Sequence, residues 1–184
     1  MLALALGLVA GCGGDDDNGT GAGSLEIEES EAVGQTRGPG GEQPTPTSDI
    51  ELTDEQVGEI EQGDYTAALV WHESSDFVNA VTRGATEEFD RLGIEVVAET
   101  DAGFDPGKQR SDLETVMARD PDLIISLPVD PVATASAYRK ATQAGARLVL
   151  LSNVPEGFEH GREYVSLVTD DLFEMGHQAA DALA

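Results

Sequence analysis

The sequence predicts an α/β domain in which a doubly wound parallel sheet carries helices on both faces. Short, continuous apolar runs, typical of buried strands, alternate with segments whose apolar residues recur every three or four positions. Asp-Pro pairs stand where helices should begin, and glycines stand where they should end. In a chain of 184 residues, the remaining length after a polar N-terminal part fits one such unit.

Five apolar runs predict the strands of this sheet. They are Ala67–Trp71, Ile94–Ala98, Leu123–Leu127, Leu148–Leu151 and Tyr164–Val168. Each run is short and mainly apolar, without a regular alternation of polar and apolar residues, which indicates a strand buried on both faces.

The helices between the strands are predicted from their caps. Asp76 is expected to cap a helix that ends at Gly93. Asp105-Pro106 and Asp130-Pro131 each offer a capping carboxylate followed by a first-turn proline. Asp170-Asp171 is expected to begin the last helix.

The N-terminal segment indicates export. Residues 1–11 are apolar and uncharged, too short to span a bilayer but long enough for the core of a signal peptide. The run Leu8-Val9-Ala10-Gly11-Cys12 resembles the lipobox of prokaryotic lipoproteins, which implies a lipid on Cys12. The basic residues that usually precede such a run are missing, and the alternative is a free cysteine in a polar tail.

Residues 12–64 are predicted to be an acidic, disordered linker. Gly, Asp, Glu, Pro, Thr and Ser dominate, and Arg37 is its sole basic residue, so the segment cannot bury enough apolar surface to fold. Near its end Thr53 and Gln56 have the spacing of a capping box, which predicts a short helix near residues 53–62.

Charge and cysteine content exclude several classes of function. Acidic residues outnumber basic ones 36 to 10, for a net charge of −26, which disfavours nucleic acid as a partner. A single cysteine rules out an internal disulfide and a cysteine-rich metal site. Neither Gly-x-Gly-x-x-Gly nor Gly-Lys-Ser/Thr follows the first strand, so no nucleotide cofactor is expected.

Polar residues follow four of the predicted strands at the same end. The groups are Trp71–Phe77, Pro128–Asp130, Ser152-Asn153 and Thr169-Asp170. Because parallel strands all end at one edge of the sheet, these groups are expected to line a binding crevice there.

A series of short phrases resembles the ribose-binding-like, type I periplasmic binding proteins, over residues 64 to 184. The phrases are Ala68-Leu69-Val70, Phe77–Val81, Gly84-Ala85, Leu92-Gly93-Ile94, Gln109, Pro121–Ile125, Pro128-Val129-Asp130, Lys140-Ala141, Ala144-Gly145, Tyr164-Val165, Asp170-Asp171, Met175-Gly176 and Ala179-Ala180. The resemblance implies two lobes of flavodoxin-like topology that close on a solute. Residues 65–170 would form the first lobe and 171–184 the first helix of the second, with the rest missing.

The resemblance also implies where the solute is held. Trp71 and Phe77 would stack on an apolar sugar face and Ser75 would donate a hydrogen bond, with packing of the core or hinge as the alternative. Ser152 and Asn153 stand where many sugar-binding relatives carry an acidic residue or Asn, sometimes followed by Arg, that holds hydroxyls, so they are neutral candidates, or else simple turn residues.

Other polar residues have structural explanations. Asp130 and Asp170 are candidate ligand residues, although helix capping accounts for each of them. His72 and Glu73 are expected on opposite faces, as neighbours on a strand are, and His160 and His177 lack ligand spacing with them, so no metal site is predicted.

Together these features predict a lipid-anchored, extracytoplasmic binding protein that captures a sugar-like solute for an ABC permease and catalyses no reaction. A sensor that presents its closed form to a signalling receptor is the alternative within binding proteins. A flavodoxin-like enzyme is the alternative from another class.

Overall fold

The computed structural model describes residues 37–182, so Cys12 and the signal-like segment lie outside the described residues. The helices are α1 (Asp54–Glu61), α2 (Asp76–Leu92), α3 (Pro106–Met117), α4 (Ala135–Gln143) and α5 (Leu172–Asp181). The strands are β1 (Thr66–Trp71), β2 (Glu95–Asp101), β3 (Leu123–Ser126), β4 (Arg147–Leu151) and β5 (Ser166–Val168).

All strand pairs are parallel, and the strand order is β2-β1-β3-β4-β5. This is the flavodoxin-like order, which puts β1 and β3 at the point where the chain reverses direction across the sheet. The predicted fold class is therefore confirmed.

The sheet is covered on both faces, as a doubly wound fold requires. Leu113 of α3 and Tyr138 of α4 pack with alternate strand residues in one buried cluster. Val78 and Phe89 of α2 pack with the other strand residues in a second cluster. Because both faces are covered, residues 67–70 of β1 are completely buried, which explains why this stretch has no polar residue.

Helix α2 begins with a different cap from the predicted one. The N-cap is Ser75 and not Asp76, because the Val78 N–H donates to the Ser75 hydroxyl oxygen at 3.3 Å. Asp76 is instead the first helical residue, where its charge complements the helix dipole. Gly93 ends the helix with a φ of 69°, a left-handed conformation that glycine adopts without strain.

Helix α4 begins later than Asp130-Pro131 predicts. The Asp130 carboxylate accepts hydrogen bonds from the Val132 and Ala133 N–H groups at 2.8 and 2.7 Å. The Thr134 hydroxyl donates to the Asp130 carbonyl at 2.6 Å. These bonds close a separate turn before the helix, which starts at Ala135. Asp130 therefore does cap backbone N–H groups, but they belong to this turn and not to the helix α4.

Two strands differ from their apolar runs by more than one residue. Strand β2 extends to Asp101, which pairs with Trp71, because the edge strand follows β1 along its whole length. Strand β5 begins only at Ser166. Before it, Tyr164 forms only an isolated bridge with His160, and the Gly161 N–H donates to the Tyr164 carbonyl at 2.8 Å.

The helix α1 forms at the predicted capping box, with the Thr53 and Gln56 side chains each bonded to the other's backbone N–H.

At the C-terminal end of the chain, α5 has no buried residue, and its Leu172, Phe173 and Met175 are about half exposed. Its assignment to a second lobe stays a prediction.

Candidate functional site

The polar residues that follow the strands meet at one edge of the sheet, here called the carboxyl edge. The strands pair in step: Val70 lies opposite Ser126, and Ser126 lies opposite Leu150. Further along the sheet, Leu151 lies opposite Val168. The loops that follow β1, β3, β4 and β5 therefore leave the sheet at the same level, as the sequence predicts.

Hydrogen bonds tie these loops to one another. The Asn153 side-chain amide donates to the Pro128 carbonyl at 3.1 Å, which joins the loops after β4 and β3. The Ser152 N–H donates to the Val168 carbonyl at 3.0 Å, which joins the ends of β4 and β5. The carboxyl edge is therefore a connected surface and not a set of independent loops.

A further residue, Gln109, holds the loop after β3. Its side chain is fully buried, its amide donates to the Leu127 carbonyl at 2.9 Å, and its oxygen accepts from the Val129 N–H at 2.8 Å. Its role was missed from the sequence. The signal was a glutamine on the buried stripe of α3, four residues before Leu113 and seven before Val116.

The two aromatic candidates lie in different environments. Trp71 is 2% exposed and packs in the cluster that includes Leu127 and Leu151. Phe77, on the first turn of α2, is 52% exposed. Phe77 therefore offers a free ring at the carboxyl edge, whereas stacking of a solute on Trp71 stays a prediction.

The remaining candidates present polar groups at the same edge. Ser152 is exposed and has a φ of 56°, unusual for a residue with a side chain. Asp170 is exposed, and its carbonyl accepts a bond from the Thr169 hydroxyl at 3.3 Å. Asp130 is also exposed, although one carboxylate oxygen is engaged in its turn. Solute contacts by these residues stay predictions.

His72 lies beside Glu73, and its Nε2 is 3.6 Å from the Glu73 Oε1. The expectation that these neighbours point to opposite faces is wrong, because β1 ends at Trp71 and strand alternation does not extend to them. Burial lowers the pKa of His72, and the negative charges of Glu73 and Asp101 only partly oppose that effect. Among residues 37–182 no group of side chains is suited to hold a metal ion.

The pKa of His72 gives a pH dependence with a definite sign. Below the ordinary value of 6.5, the unfolded chain takes up a proton at His72 more readily than the folded chain does. The free energy of unfolding is therefore expected to fall as the pH drops from 6.5 towards the lowered pKa. We expect the free energy of unfolding, measured by urea at several pH values in this range, to change less with pH in His72→Gln than in the original protein. An equal change with pH in both proteins would contradict a lowered pKa of His72.

Ser75 is expected to act as a helix cap that its neighbour Ser74 cannot replace. Ser75→Ala removes the acceptor for the Val78 N–H, so the free energy of unfolding should fall by about 1 kcal/mol. Ser75→Asp retains an acceptor and should stay close to the original value. Urea unfolding measures both, with Ser74→Ala as the control; equal losses for Ser74→Ala and Ser75→Ala would argue against the cap.

An open depression of about 480 Å³ lies elsewhere, between β2 and α3. Its lining includes Val96, Glu99, Thr115 and Arg119, and none of the predicted site residues contributes to it. The polar groups at the carboxyl edge therefore lie apart from that depression.

Comparison with known proteins identifies the family. The model of the periplasmic binding protein domain matches residues 66–184. A search of curated proteins found no match.

Several solved structures share the fold. A sugar-binding protein of a sugar ABC transporter from Bacillus halodurans is 21% identical, with a TM-score of 0.56, over 66% of this chain and 41% of its own. A solute-binding protein from Agrobacterium vitis bound to alpha-D-tagatopyranose is 24% identical, with a TM-score of 0.58. The match covers 65% of this chain and 43% of that protein. The Caulobacter myo-inositol binding protein is 24% identical, with a TM-score of 0.56. The match covers 66% of this chain and 40% of that protein.

At these identities the similarity shows the fold, and this chain spans about two fifths of the length of those structures. The family model, by contrast, matches well over half of this chain, and the family predicted from the sequence is confirmed. The chain belongs to the periplasmic binding protein family, whose members are extracytoplasmic binding proteins and not enzymes.

Proposed function

We propose that this protein captures a sugar or a similar small polar solute for an ABC importer, with the carboxyl edge as one side of the solute site. The observation that carries the proposal is the convergence of polar side chains from the loops after β1, β3, β4 and β5 at that edge. The structures with the same fold include a sugar-binding protein, a protein bound to alpha-D-tagatopyranose and a myo-inositol binding protein, and they support the chemical class.

The exposed groups suit a neutral polyhydroxyl compound. The free ring of Phe77 matches the apolar C–H face of a sugar. Ser152 and Asn153 supply neutral hydrogen-bonding groups, and the carboxylates of Asp130 and Asp170 accept bonds from hydroxyls. Binding by such groups needs no bond to be made or broken in the solute.

Closure of a second lobe over this edge is the proposed mechanism. A solute that contacts both lobes binds the closed state more tightly than the open one and so shifts the population towards it. Helix α5, whose apolar residues are exposed on this lobe, is the proposed start of the second lobe. The closed form is then the form that the permease recognises.

A lipid on Cys12 is the proposed attachment to the membrane, with the acidic segment as a spacer that keeps the lobes in solution. Across residues 37–182, no helix has the length and apolar character needed for a membrane span. Cys12→Ala is expected to release the expressed protein from the membrane fraction. Retention of this variant in that fraction would count against the anchor.

Isothermal titration of the full-length protein with D-ribose, L-arabinose, D-tagatose and myo-inositol tests the solute proposal. Saturable binding of at least one compound without product formation is expected. Phe77→Ala should weaken that binding about tenfold, because one stacking contact is lost. Tyr65→Ala, which removes an exposed aromatic residue at the opposite end of β1, is the matched control. Absence of binding by all four compounds, or their turnover, would overturn the proposal.

A further inference from the structure

Phe104 is an exposed aromatic residue in a backbone conformation that side chains disfavour. It lies in the turn between β2 and α3, it is 65% exposed, and its φ is 60°. The preceding Gly103 has a similar φ of 56°, which glycine adopts freely. A phenylalanine in this position is both strained and largely in water, so neither its backbone nor its burial explains why a ring is present.

The turn itself is held without the Phe104 side chain. The Ala102 N–H donates to the Trp71 carbonyl at 3.0 Å, and the Phe104 N–H donates to the His72 carbonyl at 2.7 Å. Within the turn, the Gly103 N–H donates to the Asp101 carboxylate at 2.7 Å. Because these bonds all use backbone donors, a glycine at position 104 would preserve every one of them.

The same bonds fix the ring at the carboxyl edge. They fasten the turn to the end of β1, directly before the loop that carries Ser75 and Phe77. The Phe104 ring meets the His72 imidazole edge-to-face, with centroids 5.3 Å apart and an interplanar angle of 79°. Contact with one small ring leaves most of the phenyl surface open.

We propose that Phe104 is a further solute-contacting residue, with its ring forming a wall beside the loop after β1 while His72 fixes the ring's orientation. The chemical class it suits is a neutral polyhydroxyl compound with an apolar C–H face, since such faces stack on aromatic rings. This inference rests on the proposed solute-binding function and adds the turn after β2 to the site, a region that the strand-end pattern did not single out.

Phe104→Gly separates a binding role from a structural one. The variant relieves the left-handed strain, so its thermal unfolding midpoint should equal or exceed that of the original protein. Its affinity for whichever of D-ribose, L-arabinose, D-tagatose and myo-inositol the full-length protein binds should fall about tenfold. Phe104→Tyr keeps the ring and should stay within about threefold of the original affinity.

The outcomes separate this inference from the function on which it rests. Unchanged affinity in Phe104→Gly, in a protein that does bind a sugar, overturns the role of Phe104 alone. A lower unfolding midpoint in that variant would show that the ring stabilises the fold, and this result also overturns the inference. If the original protein binds none of the four compounds, the proposed function fails, and the inference fails with it.

Discussion

Replacing Gln109 by leucine is expected to lower the free energy of unfolding by about 3 kcal/mol, because a buried carbonyl and a half-buried N–H lose their partner. The Leu127 carbonyl accepts from this side chain at 2.9 Å, and the Val129 N–H donates to it at 2.8 Å. Leucine has a similar volume, so the loss comes from the unsatisfied groups and not from a cavity. The loop that carries Asp130 should loosen as a result.

Gln143→Leu is the matched control for this change. Gln143 lies on the exposed side of α4, and its replacement should alter the free energy of unfolding by less than about 0.5 kcal/mol. Urea unfolding followed by circular dichroism measures both variants. Equal effects of the two substitutions would show that the Gln109 hydrogen bonds contribute nothing to stability.

Replacing Trp71 by alanine is expected to lower the free energy of unfolding by about 4 kcal/mol. The ring is 2% exposed, and its removal leaves a cavity in the buried cluster that includes Leu127 and Leu151. Chemical unfolding followed by circular dichroism is the suitable measurement, since Trp71 is the only tryptophan and its fluorescence disappears with it.

Phe77→Ala provides the contrast to Trp71→Ala. Phe77 is 52% exposed, so its removal should change stability by less than about 0.5 kcal/mol. If Trp71 serves chiefly to pack the core, the two substitutions should have different effects. Trp71→Ala should lower the free energy of unfolding, and Phe77→Ala should lower the affinity for the solute. A stable Trp71→Ala protein would contradict the packing role.

The architecture was predictable from the sequence because local and long-range signals agree. Residues 67–70 contain no polar position, which is possible only where helices cover both faces of the strand. The Asp105-Pro106 pair begins α3 where it was expected to, with the Asp105 carboxylate accepting from the Gly107 and Lys108 N–H groups. Such signals depend on residues close in the chain, so they are readable in one sequence.

The parts that were not predictable depend on contacts between distant residues or on competition between neighbouring caps. Ser75 and Asp76 are both good capping residues, and only the path of the chain after β1 decides that Ser75 acts. The partners of Gln109 lie about twenty residues away. The position of Phe104 depends on the backbone pairing of its turn with the end of β1.

The most direct test of the central claim is hydrogen exchange of the full-length protein, measured with and without a compound that binds it among D-ribose, L-arabinose, D-tagatose and myo-inositol. The carboxyl-edge loops comprise residues 72–75, 102–105, 127–134, 152–154 and 169–171. The loops at the opposite edge comprise residues 63–65, 93–94, 118–122 and 144–146. A solute held by the carboxyl edge should slow exchange in the first set and leave the second unchanged. Protection confined to the second set, or equal in both, would contradict a solute site at the carboxyl edge.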